Sequence, residues 1–169
     1  MRAIRPILPI AMVWSVIFGF TFIGASDERQ ADRILIEKKA RKLTPFRGST
    51  AIRNYRIALG NAPEGPKTCQ GDGRTPEGRY RISGRNKNSQ YHWSLRISYP
   101  NESDKTAAKN RGCSPGGDIF IHGLPNGYGW IGKAHRAIDW TLGCIAVTDR
   151  EIEEIWTLVP NGTVVEIRP

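Results

Sequence analysis

The sequence has few of the side chains that usually hold metal ions. Its 169 residues include only three histidines and three cysteines. No two of them have the short spacing that zinc ligands commonly share, so a zinc site built from His92, His122, His135 and a cysteine is not expected. We predict neither a metal nor another cofactor.

The sequence also lacks the marks of several protein classes. It has one long apolar run and no internal repeat, which excludes a multi-pass membrane protein and a repeat array. The formal net charge is +9, yet no compact basic cluster or recognition motif of a nucleic-acid-binding protein is present. With 39% hydrophobic and 24% charged residues, the chain is not a disordered tail. We therefore expect one globular domain that does not bind nucleic acid.

The first residues form a targeting segment. No acidic residue precedes Asp27, whereas Arg2 and Arg5 precede an uncharged, mostly apolar run over residues 7–25. This pattern predicts a signal peptide or an uncleaved anchor in the inner membrane over residues 1–26. The positive-inside rule places residues 27–169 outside the cytoplasm. These residues carry a net charge of +7, which favours anionic polymers or headgroups as neighbours.

Three cysteines in an exported chain leave one thiol over if two of them pair. Cys69 and Cys113 both lie in loops rich in glycine or proline, whereas Cys144 lies in the apolar stretch TLGCIAV. We predict a disulfide between Cys69 and Cys113 and a free thiol at Cys144. The alternative left open by the sequence is that all three thiols are reduced.

Short segments with β-type patterns recur between turn residues, which is typical of a β-rich domain. The predicted fold class is therefore mainly β, a β-rich α+β domain with a mixed, mainly antiparallel sheet. One helix is predicted after the last cysteine, because Thr148 and Glu151 form a capping box before an apolar stripe with helical spacing. Long loops are expected at 61–78 and 100–117. The predicted strands cover residues 33–36, 54–59, 79–83, 94–99, 118–122, 142–147 and 163–167.

A histidine and a cysteine lie beside glycine at the ends of two predicted strands, His122 in FIHG and Cys144 in TLGC. A thiol at its ordinary pKa is mostly protonated at neutral pH, and a nearby imidazole can convert it into a nucleophilic thiolate. Gly143 would let a substrate approach the backbone, whose N–H groups could stabilise an oxyanion. The pair is a candidate for nucleophilic catalysis, whereas the alternative, the usual one for a lone cysteine and histidine at an arbitrary separation, is two structural residues.

Three segments around this pair resemble the catalytic domain of the L,D-transpeptidases of the YkuD type. They are GDGRTPEGRYRI at 71–82, SPGGDIFIHG at 114–123 and DWTLGCIAV at 139–147. The resemblance covers most of residues 32–169. It implies a mixed β-sheet or sandwich with a C-terminal helix, exported to the bacterial periplasm or cell envelope. It also implies an enzyme that cross-links or remodels peptidoglycan, with an influence on cell shape, through an acyl-cysteine intermediate on stem peptides.

The resemblance assigns roles to single residues. Cys144 matches the nucleophile and His122 matches its base. Gly123 matches the residue whose backbone carbonyl orients the imidazole, while Thr141 and Gly143 occupy their motif positions. The oxyanion donors are predicted among the backbone N–H groups at and just before the cysteine.

The sequence departs from the family pattern at two positions. Leu142, one of the predicted oxyanion donors, stands where a second histidine usually precedes Gly-Cys, and Ala146 replaces an asparagine. These departures resemble a subgroup that includes an enzyme releasing a lipoprotein from peptidoglycan. An amine acceptor would make a transpeptidase, whereas water would make a hydrolase, either an L,D-carboxypeptidase or an amidase acting on a wall-linked lipoprotein. A non-catalytic peptidoglycan-binding module is a further alternative.

Smaller predictions concern substrate contacts. Arg136 and His135 precede the third motif segment, and a guanidinium binds a carboxylate in bidentate fashion, so both are candidates to bind substrate carboxylates. The alternative is a surface loop with satisfied charges. Tyr91 is a further candidate for substrate binding, because aromatic residues before a strand line a groove or cap a core.

Overall fold

The computed structural model describes residues 30–169, and the targeting segment predicted at 1–26 lies outside this range. The described chain contains two α-helices, α1 (Glu102–Asn110) and α2 (Asp149–Leu158), and a kinked 3₁₀ segment at Gly129–Ala137. None of the helices within 30–169 is long and apolar enough to cross a bilayer. The strands are β1 (Arg33–Glu37), β2 (Lys42–Arg47), β3 (Thr50–Ala51), β4 (Tyr55–Arg56), β5 (Gly78–Ser89), β6 (His92–Ile97), β7 (Phe120–His122), β8 (Ile145–Ala146) and β9 (Val164–Arg168).

The strands form a mixed sheet, which confirms the predicted architecture. Their order is β3-β2-β1-β9-β5-β6-β7-β8, and β4 pairs with β2. The neighbours β1 and β9, and the neighbours β7 and β8, run parallel, whereas the other pairs are antiparallel. Because β7 and β8 carry the two predicted catalytic segments, this parallel pair sets the geometry of the candidate site.

Alternating side chains of the strands build the core. Ile34 and Ile36 of β1 are buried opposite Val165 and Ile167 of β9, since successive residues of a strand face opposite sides of the sheet. Each such aliphatic side chain contributes roughly 1.5–3 kcal/mol when it is fully buried. Burial of these side chains therefore stabilises the sheet, and the long loops connect its strands.

Helix α2 begins and packs as predicted. The Thr148 hydroxyl accepts from the backbone N–H of Glu151, and the Glu151 carboxylate accepts from the backbone N–H of Thr148. The buried face, with Ile152 and Ile155, packs on β6 and β7. The first residues of the helix therefore lie next to the end of β7, where His122 is located.

The expected loop at 100–117 is wrong over residues 102–110, which form α1. Asn101 and Asp104 supply a capping box, and Ala108 is the buried residue of the helix. A helix this polar has no apolar periodicity to reveal it in the sequence, and the cap is its main signal. The 3₁₀ segment at 129–137 was likewise not predicted, and Gly132 kinks it.

Several predicted strands have different bounds. The predicted strand at 142–147 is wrong at its start, because only Ile145 and Ala146 pair with a neighbour and Leu142 is 77% exposed. The strand at 54–59 shrinks to Tyr55–Arg56, while β2 and β3 were missed. Pro45 interrupts the polar–apolar pattern of β2, which explains why its sequence gave no strand signal.

The structure joins Cys69 to Cys113 by a disulfide, with the Cα atoms 5.8 Å apart, and leaves Cys144 as a free thiol. The bridge ties the loop at 61–78 to the segment that follows α1. This loop passes behind the catalytic motif, as described below. The disulfide thus braces a support of the candidate site.

Removing the bridge should destabilise the domain. The two cysteines are 44 positions apart, and a loop of this length predicts that Cys69→Ala with Cys113→Ala lowers the free energy of unfolding by about 4 kcal/mol. Urea unfolding measures the change, with reduced wild type as the matched control. A double variant as stable as the oxidised wild type would contradict the prediction.

Candidate active site

A cavity of about 460 Å³ opens where three segments of the chain meet. They are the β5–β6 hairpin, β7 with the residues before it, and the segment leading into β8. His122 and Cys144 both lie on its wall. The cavity thus brings together the two residues that the sequence singled out.

The parallel pairing of β7 and β8 places the two side chains relative to each other. Ile121 is in register with Ile145, and His122 with Ala146. Cys144 comes just before Ile145, so it lies two positions behind His122 and faces the same side of the sheet. Two positions correspond to roughly 6.6 Å along a strand. A substrate carbonyl in the cavity could therefore contact both side chains.

The imidazole of His122 is held in one orientation. Its Nδ1 donates to the backbone carbonyl of Gly123 at 2.7 Å, so Nε2 carries the lone pair in the neutral ring. The rings of Tyr91 and Trp140 lie against it, with centroid separations of 4.5 and 5.8 Å. The sequence-predicted role of Gly123 thus corresponds to a hydrogen bond in the structure.

Burial keeps His122 neutral. It lowers the pKa of this imidazole to about 4, although the Gly123 carbonyl acts in the opposite direction. The neighbouring His135 lowers this pKa further. At neutral pH His122 is therefore a free base that can accept a proton at Nε2.

The thiol of Cys144 is also protonated at rest. Burial raises its pKa, and the Asp118 carboxylate acts in the same direction. A hydrogen bond from the backbone N–H of Phe120 and the charge of Lys67 oppose this rise. The Sγ atom lies 3.6 Å from the Asp118 carbonyl, its acceptor. The geometry therefore favours a neutral thiol and a neutral imidazole over a preformed ion pair.

The turn before Cys144 is built around the hydroxyl of Thr141. This hydroxyl donates to the carbonyl of Cys144 at 2.8 Å and accepts from the backbone N–H of Gly143 at 3.2 Å. Gly143 has φ +125°, and a Cβ atom there would lie 2.6 Å from the carbonyl oxygen of Arg74. Only glycine fits this position. Its N–H is already bonded, which leaves the N–H groups of Leu142 and Cys144 as the candidate oxyanion donors.

The same motif is anchored on the segment that follows β4. The Asp139 carboxylate accepts from the backbone N–H of Leu59 and pairs with Arg41 at 2.7 Å. Thr141 exchanges backbone hydrogen bonds with Leu59 and Asn61. This double attachment explains why a segment with only two strand residues still holds the nucleophile in place.

The loop at 61–78 supports that segment from behind. The hydroxyl of Thr75 accepts from the backbone N–H of Gly60, and the ammonium of Lys38 donates to the carbonyls of Gly65 and Thr75. Lys38 also pairs with Glu77 at 2.8 Å. The GDGRTPEG part of this loop is thus a scaffold for the catalytic turn.

The sequence matches the family model of the YkuD L,D-transpeptidase catalytic domain over residues 31–167. The chain belongs to this family. Its fold is similar to that of the helical cell shape determining protein Pgp2 from Campylobacter jejuni, at 22% identity with a TM-score of 0.60, over 85% of this chain and 52% of that one. No protein with a curated description matches significantly.

Two solved structures of L,D-transpeptidases have a similar fold. An L,D-transpeptidase from Mycobacterium smegmatis has 12% identity and a TM-score of 0.54, over 82% of this chain and 59% of that one. One from Xylanimonas cellulosilytica has 14% identity and a TM-score of 0.51, over 85% of this chain and 63% of that one. The chain thus spans about half to two thirds of the length of these structures.

The predicted substrate contacts of this YkuD domain lie in different places. Tyr91 is on the cavity wall. His135 is buried behind Trp140, whose indole N–H donates to its Nδ1 at 3.4 Å, and Arg136 pairs with Glu151. Neither His135 nor Arg136 lines this cavity, although His135 borders a neighbouring apolar cavity together with Trp140. A substrate contact of either residue stays a prediction.

Sequence reasoning missed three residues of this YkuD site. Trp140 packs on His122, and Asp139 anchors the motif, although both stand in a segment that the family resemblance includes. Asp118 lies on the wall with φ 55° and a side chain 77% exposed, paired with Arg96 at 3.2 Å. A strained backbone of this kind leaves no signal in a single sequence. Within residues 30–169 no three histidine, cysteine or acidic side chains gather as a metal site.

Proposed function

We propose that this protein is a cysteine-dependent L,D-transpeptidase that cross-links or remodels peptidoglycan outside the cytoplasm. One observation carries the proposal: a thiol and a neutral imidazole of fixed tautomer share the wall of one cavity. Their roles are nucleophile for Cys144 and base for His122. The family match supports the choice of stem peptides as substrates.

In the first step the Cys144 sulfur attacks the carbonyl carbon of the L-centre at the third stem position. Nε2 of His122 takes the thiol proton during the attack, and the carbonyl oxygen becomes an oxyanion. Collapse of this tetrahedral intermediate breaks the C–N bond. His122 returns the proton to the departing amine of the D-residue, which leaves a thioester on Cys144.

Backbone N–H groups stabilise the oxyanion. Gly143 donates to Thr141, so the proposed donors are the N–H groups of Cys144 and Leu142. A single donor contributes about 3–4 kcal/mol in other acyl-transfer enzymes. The rigid turn described above provides the preorganisation that this contribution requires.

The second step decides between cross-linking and hydrolysis. An acceptor amine that loses a proton to His122 attacks the thioester, forms an amide and restores the thiol. Water in the same place yields a free carboxylate. Leu142, 77% exposed, stands beside Cys144 on the cavity wall and covers this side with apolar surface. We propose that this surface favours a bulky acceptor over water.

The rim of the cavity suits a zwitterionic side chain. Asp118 and Arg96 form an exposed ion pair beside the Asp118 backbone that contacts the thiol. A diamino acid with a free ammonium and a free carboxylate at its far end could bind both groups. We propose that this pair contacts the third residue of the stem peptide. The proposal also includes anchoring of the protein in the inner membrane by its N-terminal segment and a wall-linked lipoprotein as a partner.

The experiment is to incubate the purified protein with disaccharide-tetrapeptide fragments of peptidoglycan and to measure product masses. We expect a cross-linked dimer that has lost one terminal D-alanine. If tripeptide is the sole product, the proposed transpeptidase activity is wrong and the protein is a hydrolase. If neither tetrapeptide nor cross-linked substrates give a product, the proposed enzymatic activity is contradicted and a binding module is favoured.

A further inference from the structure

One peptide group connects His122 to a carboxylate that no step above uses. The carbonyl of the Gly123–Leu124 peptide accepts from Nδ1 of His122 at 2.7 Å. The N–H of the same peptide donates to Oδ1 of Asp149 at 2.8 Å. Imidazole, peptide and carboxylate therefore form a continuous chain of two hydrogen bonds.

The surroundings of Asp149 are built to fit this carboxylate. A Cβ atom at Gly123 would lie 2.7 Å from Oδ1, and one at Gly129 would collide with Oδ2. Asp149 is also the first residue of α2, where the helix dipole favours a negative charge. The absence of side chains at Gly123 and Gly129 leaves room for the Asp149 carboxylate, and the start of α2 stabilises its negative charge beside the Gly123–Leu124 peptide.

The peptide that precedes the relay peptide is also fixed. The N–H of Gly123 donates to the carbonyls of Tyr91 and Trp93, both at 3.2 Å. This N–H belongs to the His122–Gly123 peptide, so the two bonds fix the chain up to the Cα atom of Gly123. The bond from the Leu124 N–H to Asp149 then fixes the Gly123–Leu124 peptide that follows. Its orientation then depends on strands β6 and β7 and on the bond to Asp149.

We propose that Asp149 is a positioning residue for His122 that acts through the Gly123–Leu124 peptide. A carboxylate that accepts from an amide N–H increases the electron density on the carbonyl of the same amide, because hydrogen-bonded groups polarise one another. The carbonyl then holds Nδ1–H more strongly. The negative charge of the Asp149 carboxylate also stabilises the imidazolium that forms when Nε2 of His122 takes the thiol proton.

This inference rests on the proposed role of His122 as the base. The other charged and titratable groups near the relay include His92, whose Cβ packs against Gly123 and whose ring pairs with Glu153, and the group of His135, Arg136 and Glu151. Arg136 and Glu151 pair with each other, and Glu151 accepts from Thr148 rather than from Leu124. Glu151→Gln therefore removes a carboxylate from the same helical turn without touching the relay and serves as the matched control.

Two readouts test the proposal on the full chain. The first is the ¹H–¹⁵N NMR spectrum of the imidazoles without substrate, in which we expect an upfield shift of the His122 Nδ1–H proton in Asp149→Asn. The second is turnover of tetrapeptide fragments, in which we expect kcat to fall by up to about 10²-fold with little change in KM, because the imidazole is less well positioned. Glu151→Gln should leave the His122 resonance unchanged.

A second variant covers the case in which Asp149→Asn folds poorly. Gly129→Ala keeps Asp149 but pushes its carboxylate from the peptide, and the same upfield shift is expected. An unchanged His122 resonance in a folded variant of either kind would overturn the proposal. If the wild type turns over no fragment, the proposed function fails, but the NMR readout still decides whether Asp149 acts on His122.

Discussion

Replacing Cys144 with alanine should abolish turnover of tetrapeptide fragments while the protein stays folded. The acyl-enzyme needs the sulfur, and no other thiol is available because Cys69 and Cys113 are bridged. Loss of a nucleophile in a comparable acyl-transfer enzyme costs about 10⁶-fold in kcat. Product masses and the rate of D-alanine release measure the effect, and we expect a loss of at least about 10⁴-fold.

Two controls make this result decisive. A thioester adduct of the wild type, seen as added intact mass after acid quenching, should be absent from Cys144→Ala. The double variant Cys69→Ala, Cys113→Ala retains Cys144 as its sole thiol and should still form the adduct if it remains folded. Undiminished product formation by folded Cys144→Ala would overturn the assignment of the nucleophile.

The sequence was informative where local patterns decide the structure. Helix α2 was predicted because Thr148 and Glu151 mark its start and an apolar stripe marks its buried face. The mixed β-rich fold was likewise predictable from alternating segments and is confirmed. In these elements local preference and tertiary packing favour the same conformation.

Local patterns failed where distant contacts decide the structure. The segment at 142–147 is apolar enough for a strand, yet the Thr141 hydroxyl and the Arg74 carbonyl fold its first part into a turn. The polar helix α1 depends on its cap rather than on an apolar face.

The candidate site shows the same division. The sequence indicated His122 and Cys144 because both stand in motif segments. Asp149 gave no signal of its own in the sequence, because its bond to the N–H of Leu124 crosses 25 positions of the chain. Arg136 suggested a substrate contact by its charge alone, whereas the fold supplies Glu151 as a partner.

Replacing His122 with asparagine should lower kcat/KM about 10²- to 10⁴-fold, the usual contribution of a general base. The asparagine amide can still donate to Gly123, so the loss reports the missing base. In the wild type, kcat/KM should decrease below a pH near 4, because burial lowers the pKa of His122 to about 4. In His122→Asn this acid limb should vanish, and the rate should rise with pH as Cys144 ionises.

Stability changes in the same pH range and must be separated from catalysis. Burial lowers the pKa of both His122 and His135 to about 4, whereas an unfolded histidine titrates near 6.5. Below pH 6.5 the unfolded chain therefore binds more protons, and stability falls as the pH decreases toward 4. Melting curves at each pH identify where the enzyme is folded. An acid limb near pH 6.5 in fully folded protein would contradict a desolvated His122 and indicate an imidazole exposed to water.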